Sequence, residues 1–202
     1  MKVLVACEYS GRVRDAFIAK GHDAMSCDLL PTDVPGPHYE GSVFDLDLTQ
    51  FDLMVAHPPC TYLANSGVCH LHKDDSRWKQ LDEGAAFFKQ LLEAPVPRIC
   101  IENPIMHKYA RDRIGGEKYS QIIQPWMFGH MEQKATCLWL KGLPDLIPTN
   151  VVKEEMMLLP KNVRERLHYL PPSPERWKLR STTYQGIANA MAEQWREQNE
   201  TS

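Results

Sequence analysis

The chain has 202 residues, 43% of them apolar and 24% charged, with a formal net charge of −3. That length suits one sizeable core and is too short for two ordinary domains. The slight acidity argues against a protein that coats nucleic acid non-specifically, because such proteins bind by neutralising many phosphates.

No window holds the uninterrupted apolar run that a bilayer span requires, and the start, MKVLVACEYSGRVR, is too soon charged for a signal peptide. Residues 1–202 are therefore expected to form one soluble, cytoplasmic domain with no membrane partner. Six cysteines (Cys7, Cys27, Cys60, Cys69, Cys100, Cys137) follow no regular framework, and three of them, Cys7, Cys27 and Cys100, lie in apolar strand-like runs. Buried reduced thiols fit that pattern better than disulfides.

In chain order, KVLVACE (2–8) reads as a strand. Ser10-Gly11 makes a turn, and Val13, Ala16 and Phe17 follow helical spacing up to a stop at Gly21. DAMSCDLL (23–30) is a second strand ending on Asp28, and the proline- and glycine-rich residues 31–45 read as loop. FDLMVAHPP (51–59) is the next strand, residues 76–94 a helix, and PRICIENP (97–104) another strand. Alternation of this kind predicts a doubly wound, mainly parallel α/β sheet covered on both faces. Ligands of such sheets sit beyond the carboxyl ends of the strands, so Glu8, Asp28, Cys60 and Glu102 are expected to share one rim.

Further on, EKYSQIIQPWMFG (117–129) reads as a helix broken at Pro125, KATCLWLKG (134–142) as a strand and VVKEEMMLL (151–159) as a short helix. Residues 160–183 look loop-rich, and 184–199 close the chain as a helix. Lys161, Arg164, Arg166, Arg176, Lys178 and Arg180 give this last third a basic face, which suits nucleic acid or is simply solvated. Trp177 is the aromatic best placed to touch a base, whereas Trp78 and Trp139 have the spacing of core residues.

Chemistry centres on Cys60. Its thiol needs nearby positive charge or helix-terminal amides to ionise near neutral pH, and Pro58 and Pro59 fix the chain that presents it. Taken alone, such a cysteine is more often a small buried hydrophobe. Glu102 follows four apolar residues, which makes it either a surface carboxylate or one held in a pocket where its proton is useful. The two together could act on a pyrimidine: the thiolate adds to C6 while the acid bonds N3 and the exocyclic amine, making C5 nucleophilic. His57, Cys60, Cys69, His70 and His72 supply enough nitrogen and sulfur to raise zinc, but their spacing matches no closed site.

Pro58-Pro59-Cys60 with Ser66-Gly67, followed by Glu102-Asn103, resembles the two catalytic motifs of the DNA cytosine C5 methyltransferases, in the family's order. ACEYSGRVRDAF resembles the family's glycine-rich S-adenosylmethionine loop, with Tyr9 and Arg12 where the family has glycine. MEQKATCLWL resembles the later glutamine and arginine motif, with Gln133 and Lys134 in the matching places, and YQGIANAMA resembles the C-terminal Gly-Asn-Ala motif.

The resemblance implies a short, phage- or bacterial-type member with a Rossmann-like methyltransferase fold. Cys60, Glu102, Asn103 and Lys134 would be catalytic, and Tyr9, Ser10, Gly11, Asp28, Asp45, Pro58 and Asn189 would line the S-adenosyl-L-methionine site. Residues 142–183 would stand in place of a target-recognition domain and are too few for an independent core. The substrate would then be DNA, single-stranded or distorted, or a separate partner would supply specificity. Two alternatives remain open: a related cysteine-dependent enzyme acting on pyrimidines in RNA or nucleotides, and a catalytically silent relative that binds nucleic acid or a partner.

Overall fold

The computed structural model describes residues 1–196. Strand β1 (Lys2–Ala6) leads to α1 (Arg12–Ala19), then β2 (Asp23–Asp28), β3 (His38–Glu40) and β4 (Leu53–Ala56). Helix α2 (Ser76–Leu92), β5 (Arg98–Asn103), α3 (Lys108–Arg113), β6 (Gln121–Ile123) and β7 (Thr136–Lys141) follow. The remainder is helical: α4 (Lys153–Met157), α5 (Lys161–Arg164), α6 (Arg166–Tyr169), α7 (Arg176–Ser181) and α8 (Gln185–Gln194).

One seven-stranded sheet has the order β3-β2-β1-β4-β5-β7-β6. Its first five strands are parallel, and β7 runs antiparallel to both β5 and β6. The fold is thus a mainly parallel, doubly wound α/β domain. Strand order reverses between β1 and β4, which puts a crevice beyond the ends of those two strands.

Strands β1 and β4 are apolar throughout because both faces are covered. Alternate residues divide between two cores. Leu4, Ala6, Met54, Ala56, Ile99 and Ile101 face Leu81, Ala85, Phe88 and Leu91 of α2, whereas Val3, Val5, Leu53, Val55 and Cys100 face α1 and α8 through Phe17, Ile187, Met191 and Trp195.

Several expectations need correction. Residues 31–45 are not wholly loop: His38–Glu40 add an edge strand to β2, and Val43–Asp45 form a 3-10 turn capped by Ser42. The helix expected over 117–129 is instead edge strand β6, paired to β7 through β-branched Ile122 and Ile123, with a 3-10 turn from Pro125. Residues 160–183, expected as loop, hold the short helices α5, α6 and α7. Of the final helix expected over 184–199, residues 197–199 lie outside the described residues. Among the described residues no helix is long and apolar enough to cross a membrane.

Candidate active site

Because β1, β2, β4 and β5 are parallel, their carboxyl ends meet on one edge. Glu8, Asp28, Cys60 and Glu102 lie at or just past those ends, as the rim requires. The cysteine loop and the segment after β5 are zipped into one unit. Asn103 Nδ2 donates to Pro58 O at 3.3 Å, and His107 Nε2 lies 2.8 Å from Tyr62 O. Backbone amides of Asn65 and His107 donate to Ile105 O (3.0 Å) and Leu63 O (3.1 Å). Cys60 O accepts from Leu63 and Ala64, which turns the chain back. Gly67 lets that turn close, since a Cβ there would stand 2.5 Å from Thr61 O.

Glu102 is nearly enclosed, its side chain 12% exposed, and His57 Nδ1 lies 3.1 Å from its Oε2. The contact is an ion pair by distance, but the oxygen lies off the ring N–H direction, so it is not a well-formed hydrogen bond. Thr183 Oγ1 reaches the same oxygen at 3.5 Å. Burial alone would raise the Glu102 pKa, yet the His57 contact and charge, with Lys134 further off, outweigh it and hold the carboxyl below its usual range.

Cys60 is half-buried. Burial pushes its thiol up, Lys134 and Arg180 pull it down, Glu102 adds to the rise, and the balance is upward. The positive charge that a nucleophilic thiol requires is therefore present but insufficient in the free protein.

On the other side of the crevice, Glu8 is buried and its carboxylate accepts from Val13 N (2.7 Å), Arg14 N (3.2 Å) and Ser10 Oγ (3.2 Å). The protein's own acid thus occupies the first amides of α1, where many α/β proteins bind phosphate. Gly11 has φ +72, and a Cβ there would stand 2.5 Å from Arg14 Nη2 and 2.6 Å from Val34 Cγ2. Arg14 is fully buried and binds the 32–35 loop through Thr32 Oγ1, Val34 O and Pro35 O. Asp28 accepts from Leu30 N at 3.0 Å, and burial raises its pKa against that bond.

Asp45 and Asn189 are exposed and bonded locally, to Ser42 N and Gln185 Nε2, and the Asp45 charge acts on the Cys27 thiol beside Asp28. Tyr9, expected beside the cofactor, is buried under α7: its hydroxyl donates to Lys178 O (3.1 Å) and lies 2.9 Å from Ser181 Oγ.

Residues 176–183 form a strap across the rim. Lys178 pairs with Asp33 at 3.0 Å, Trp177 packs on Tyr9 with ring centroids 5.4 Å apart, Lys134 Nζ donates to Arg180 O at 2.9 Å, and Arg12 Nη1 donates to Thr183 O at 3.3 Å. Trp177 remains half exposed. Of the basic face expected in this region, Lys161, Arg166 and Lys178 are engaged with Glu165, Glu132 and Asp33. No local pattern pointed to Thr183 or to the strap. The role of Glu8 had one visible signal, an acid just ahead of a helix start.

No protein-family model matches the chain, and no curated protein matches it. Among solved structures, it is similar to a protein described as a DNA modification methyltransferase encoded within an E. coli prophage, with 17% identity, a TM-score of 0.47, and coverage of 80% of this chain and 56% of that one. It is also similar to Entamoeba histolytica methyltransferase EhMeth (14% identity, TM-score 0.43, 75% and 57% covered). A mutant of Spodoptera frugiperda DNMT2 is a third (16%, 0.41, 75% and 54%). The chain spans a little over half the length of each of these proteins.

Proposed function

We propose that the protein transfers a methyl group from S-adenosyl-L-methionine to C5 of cytosine in DNA through a covalent Cys60 adduct. The observation that carries the reading is the junction of the two motifs. Asn103 holds Pro58 and thereby fixes the cysteine loop against the β5 tip, where Glu102 lies nearly enclosed. A nucleophile and a buried carboxylate on adjacent strand tips are what addition to a pyrimidine requires.

The donor set also fits the cofactor. Glu8 fills the α1 amides with negative charge, which disfavours a phosphate and favours a cationic ligand such as a sulfonium. Glu8 and Asp28 would be its stronger anchors, with Ser10, Gly11, Pro58 and Tyr9 as the remaining members of the set. Asp45 and Asn189 belong to the set only if they leave their local partners. When bound, the cofactor supplies an electrophilic methyl group. Cys60 attacks C6, Glu102 holds the N3 and amine edge, and Lys134 and Arg180 stabilise the thiolate. The C4=C5 pair that the addition creates bonds the methyl group at C5, and loss of the C5 proton to solvent water then expels the thiolate and restores the ring.

A duplex base must leave the stack to be reached, at about a few kcal/mol. With only residues 142–183 in place of a recognition domain, single-stranded or distorted DNA is the favoured substrate, or a separate partner supplies specificity. Half-exposed Trp177, between Arg176 and Lys178, is placed to stack on a neighbouring base. Incubation with labelled S-adenosylmethionine and single-stranded DNA, duplex DNA, RNA or free nucleotide, followed by nucleoside analysis, tests this reading. 5-Methylcytosine from DNA supports it; product only from RNA or nucleotide moves the substrate class; no product with any of them refutes the activity.

A further inference from the structure

His57 extends β4 by one residue, its amide donating to Ala6 O at 2.9 Å, and Pro58 and Pro59 restrict the backbone behind it. Its imidazole is 10% exposed and lies 3.1 Å from Glu102 Oε2. Neither ring nitrogen of His57 nor Asn103 Oδ1 has a well-formed hydrogen bond among the described residues, Nδ1 having only its ion-pair distance to Glu102. Nε2 and Asn103 Oδ1, buried at the tips of β4 and β5 and without even such a contact, mark bonding capacity that a ligand would satisfy.

Charged groups act on the ring from three sides: Glu102 from β5, Glu8 from the turn after β1, and Lys134 from the approach to β7. The segment before α8 adds the neutral hydroxyl of Thr183, through Glu102. Burial favours the neutral ring and Lys134 adds to that, but the two carboxylates prevail and His57 keeps its proton above the usual histidine range. Glu102, correspondingly, is ionised and has no proton of its own to give. A carboxylate in that state accepts from the exocyclic amine of a cytosine but cannot protonate N3.

We propose that His57 is a positioning residue for Glu102, storing on Nδ1 the proton that Glu102 passes to N3 of a bound cytosine as Cys60 adds to C6. The inference rests on the methyltransferase reading above. In the addition, the thiolate electron pair becomes the S–C6 bond, the C5=C6 pair moves to C4=C5, and the C4=N3 pair moves onto N3. His57 passes its Nδ1 proton to Oε2 of the ionised Glu102, 3.1 Å away, and N3 takes that same proton from the carboxyl so formed, so Glu102 is again a carboxylate and a neutral imidazole and a neutral adduct result. The C4=C5 pair then becomes the bond from C5 to the methyl group as the N3 pair re-forms C4=N3; solvent water takes the C5 proton, the C5–H pair re-forms C5=C6, the S–C6 pair leaves with sulfur as thiolate, and the N3 proton returns through Glu102 to His57. His57 thereby sets the alkaline limit of the reaction, where a purely structural histidine would set none.

The test has two arms. In the free protein, the His57 imidazole is followed by NMR against pH in the native chain and in Glu102→Gln. The native ring should titrate above the usual histidine range and fall by at least about one pH unit in the variant; an unmoved titration overturns the proposal whatever the enzyme does. In the second arm, the rate of adduct formation on DNA containing 5-fluorocytosine is measured against pH. His57→Gln, with His57→Asn as the second variant should the first not fold, is expected to lower the rate about 10- to 100-fold and to remove the alkaline limb. A lower rate with the limb intact assigns His57 a structural role and overturns the proposal. Coupled titration with no adduct from the native protein at any pH refutes the methyltransferase reading, and the proton delivery falls with it.

Discussion

Replacing Arg14 by Met removes a fully buried guanidinium while keeping most of its apolar volume. Its Nε donates to Asp15 Oδ1 (2.7 Å), its Nη1 to Ser26 Oγ (3.2 Å) and Thr32 Oγ1 (3.3 Å), and its Nη2 to Val34 O and Pro35 O (both 3.3 Å). The last four bonds are long, and the carbonyls belong to exposed residues that water can reach once the loop loosens, so each is worth about 0.5–1 kcal/mol rather than the full charged-bond value. Asp15 is half exposed and stays hydrated without its partner, so the ion pair adds at most about 1 kcal/mol. Together they sum to about 2–5 kcal/mol, and relief of the buried charge offsets part of this. A net loss of about 2 kcal/mol corresponds to a fall in Tm of about 4–8 °C for a domain of this size. The 32–35 loop follows directly on Asp28, so affinity for S-adenosylmethionine should weaken as well. Urea and thermal melts with calorimetric titration of the cofactor check both effects. A variant that melts within about 1 °C of the native protein, or above it, would refute this account of Arg14.

Gly11→Ala combines a left-handed backbone with collisions at Arg14 and Val34, and should cost at least about 1–2 kcal/mol from the backbone alone; urea melts should show the excess shrinking, without vanishing, in the Arg14→Met background, where one of the two collision partners is gone. Burial holds the Cys60 thiol above its ordinary value of 9.0, so iodoacetamide should modify Cys60 slowly at pH 7 and faster as pH rises through 9. Lys134→Met, by removing a cation, should slow it further; mass spectrometry of the digest, with exposed Cys69 as reference, reads both. Glu102, lowered from 4.5, adds stability above that pH that is lost as pH falls through its folded value. His57, raised from 6.5, adds stability below that pH that is lost as pH rises through its folded value. The pair therefore supports the fold fully between about pH 4.5 and 6.5. Melts of native protein and Glu102→Gln across pH 4–9 should converge toward both ends of that range.

The parallel strands were legible because β1 and β4 are apolar on both faces and end in polar residues, and that alone places Glu8, Asp28, Cys60 and Glu102 on one rim. Strands β3 and β6 were not, because each has three residues and a single neighbour, too little for any periodicity to show. Helical spacing identified Val13, Ala16 and Phe17 as the buried face of α1 but gave no reason to bury Arg14, whose acceptors lie in a loop some 20 residues on. Pairing of His57 with Glu102 joins residues 45 positions apart and depends on the β4–β5 register, which no local pattern encodes. The strap was hidden for the same reason: α7 is short, lacks a side-chain cap, and is held by partners from Tyr9 to Lys134.

The most direct test of the central claim is intact-mass and peptide mass spectrometry of the protein after incubation with S-adenosylmethionine and DNA containing 5-fluorocytosine, a base whose C5 substituent cannot leave as a proton. The account predicts a covalent adduct mapped to Cys60, absent from Cys60→Ser. An adduct that survives in Cys60→Ser, or a native protein that binds the cofactor and DNA yet forms none, would contradict it.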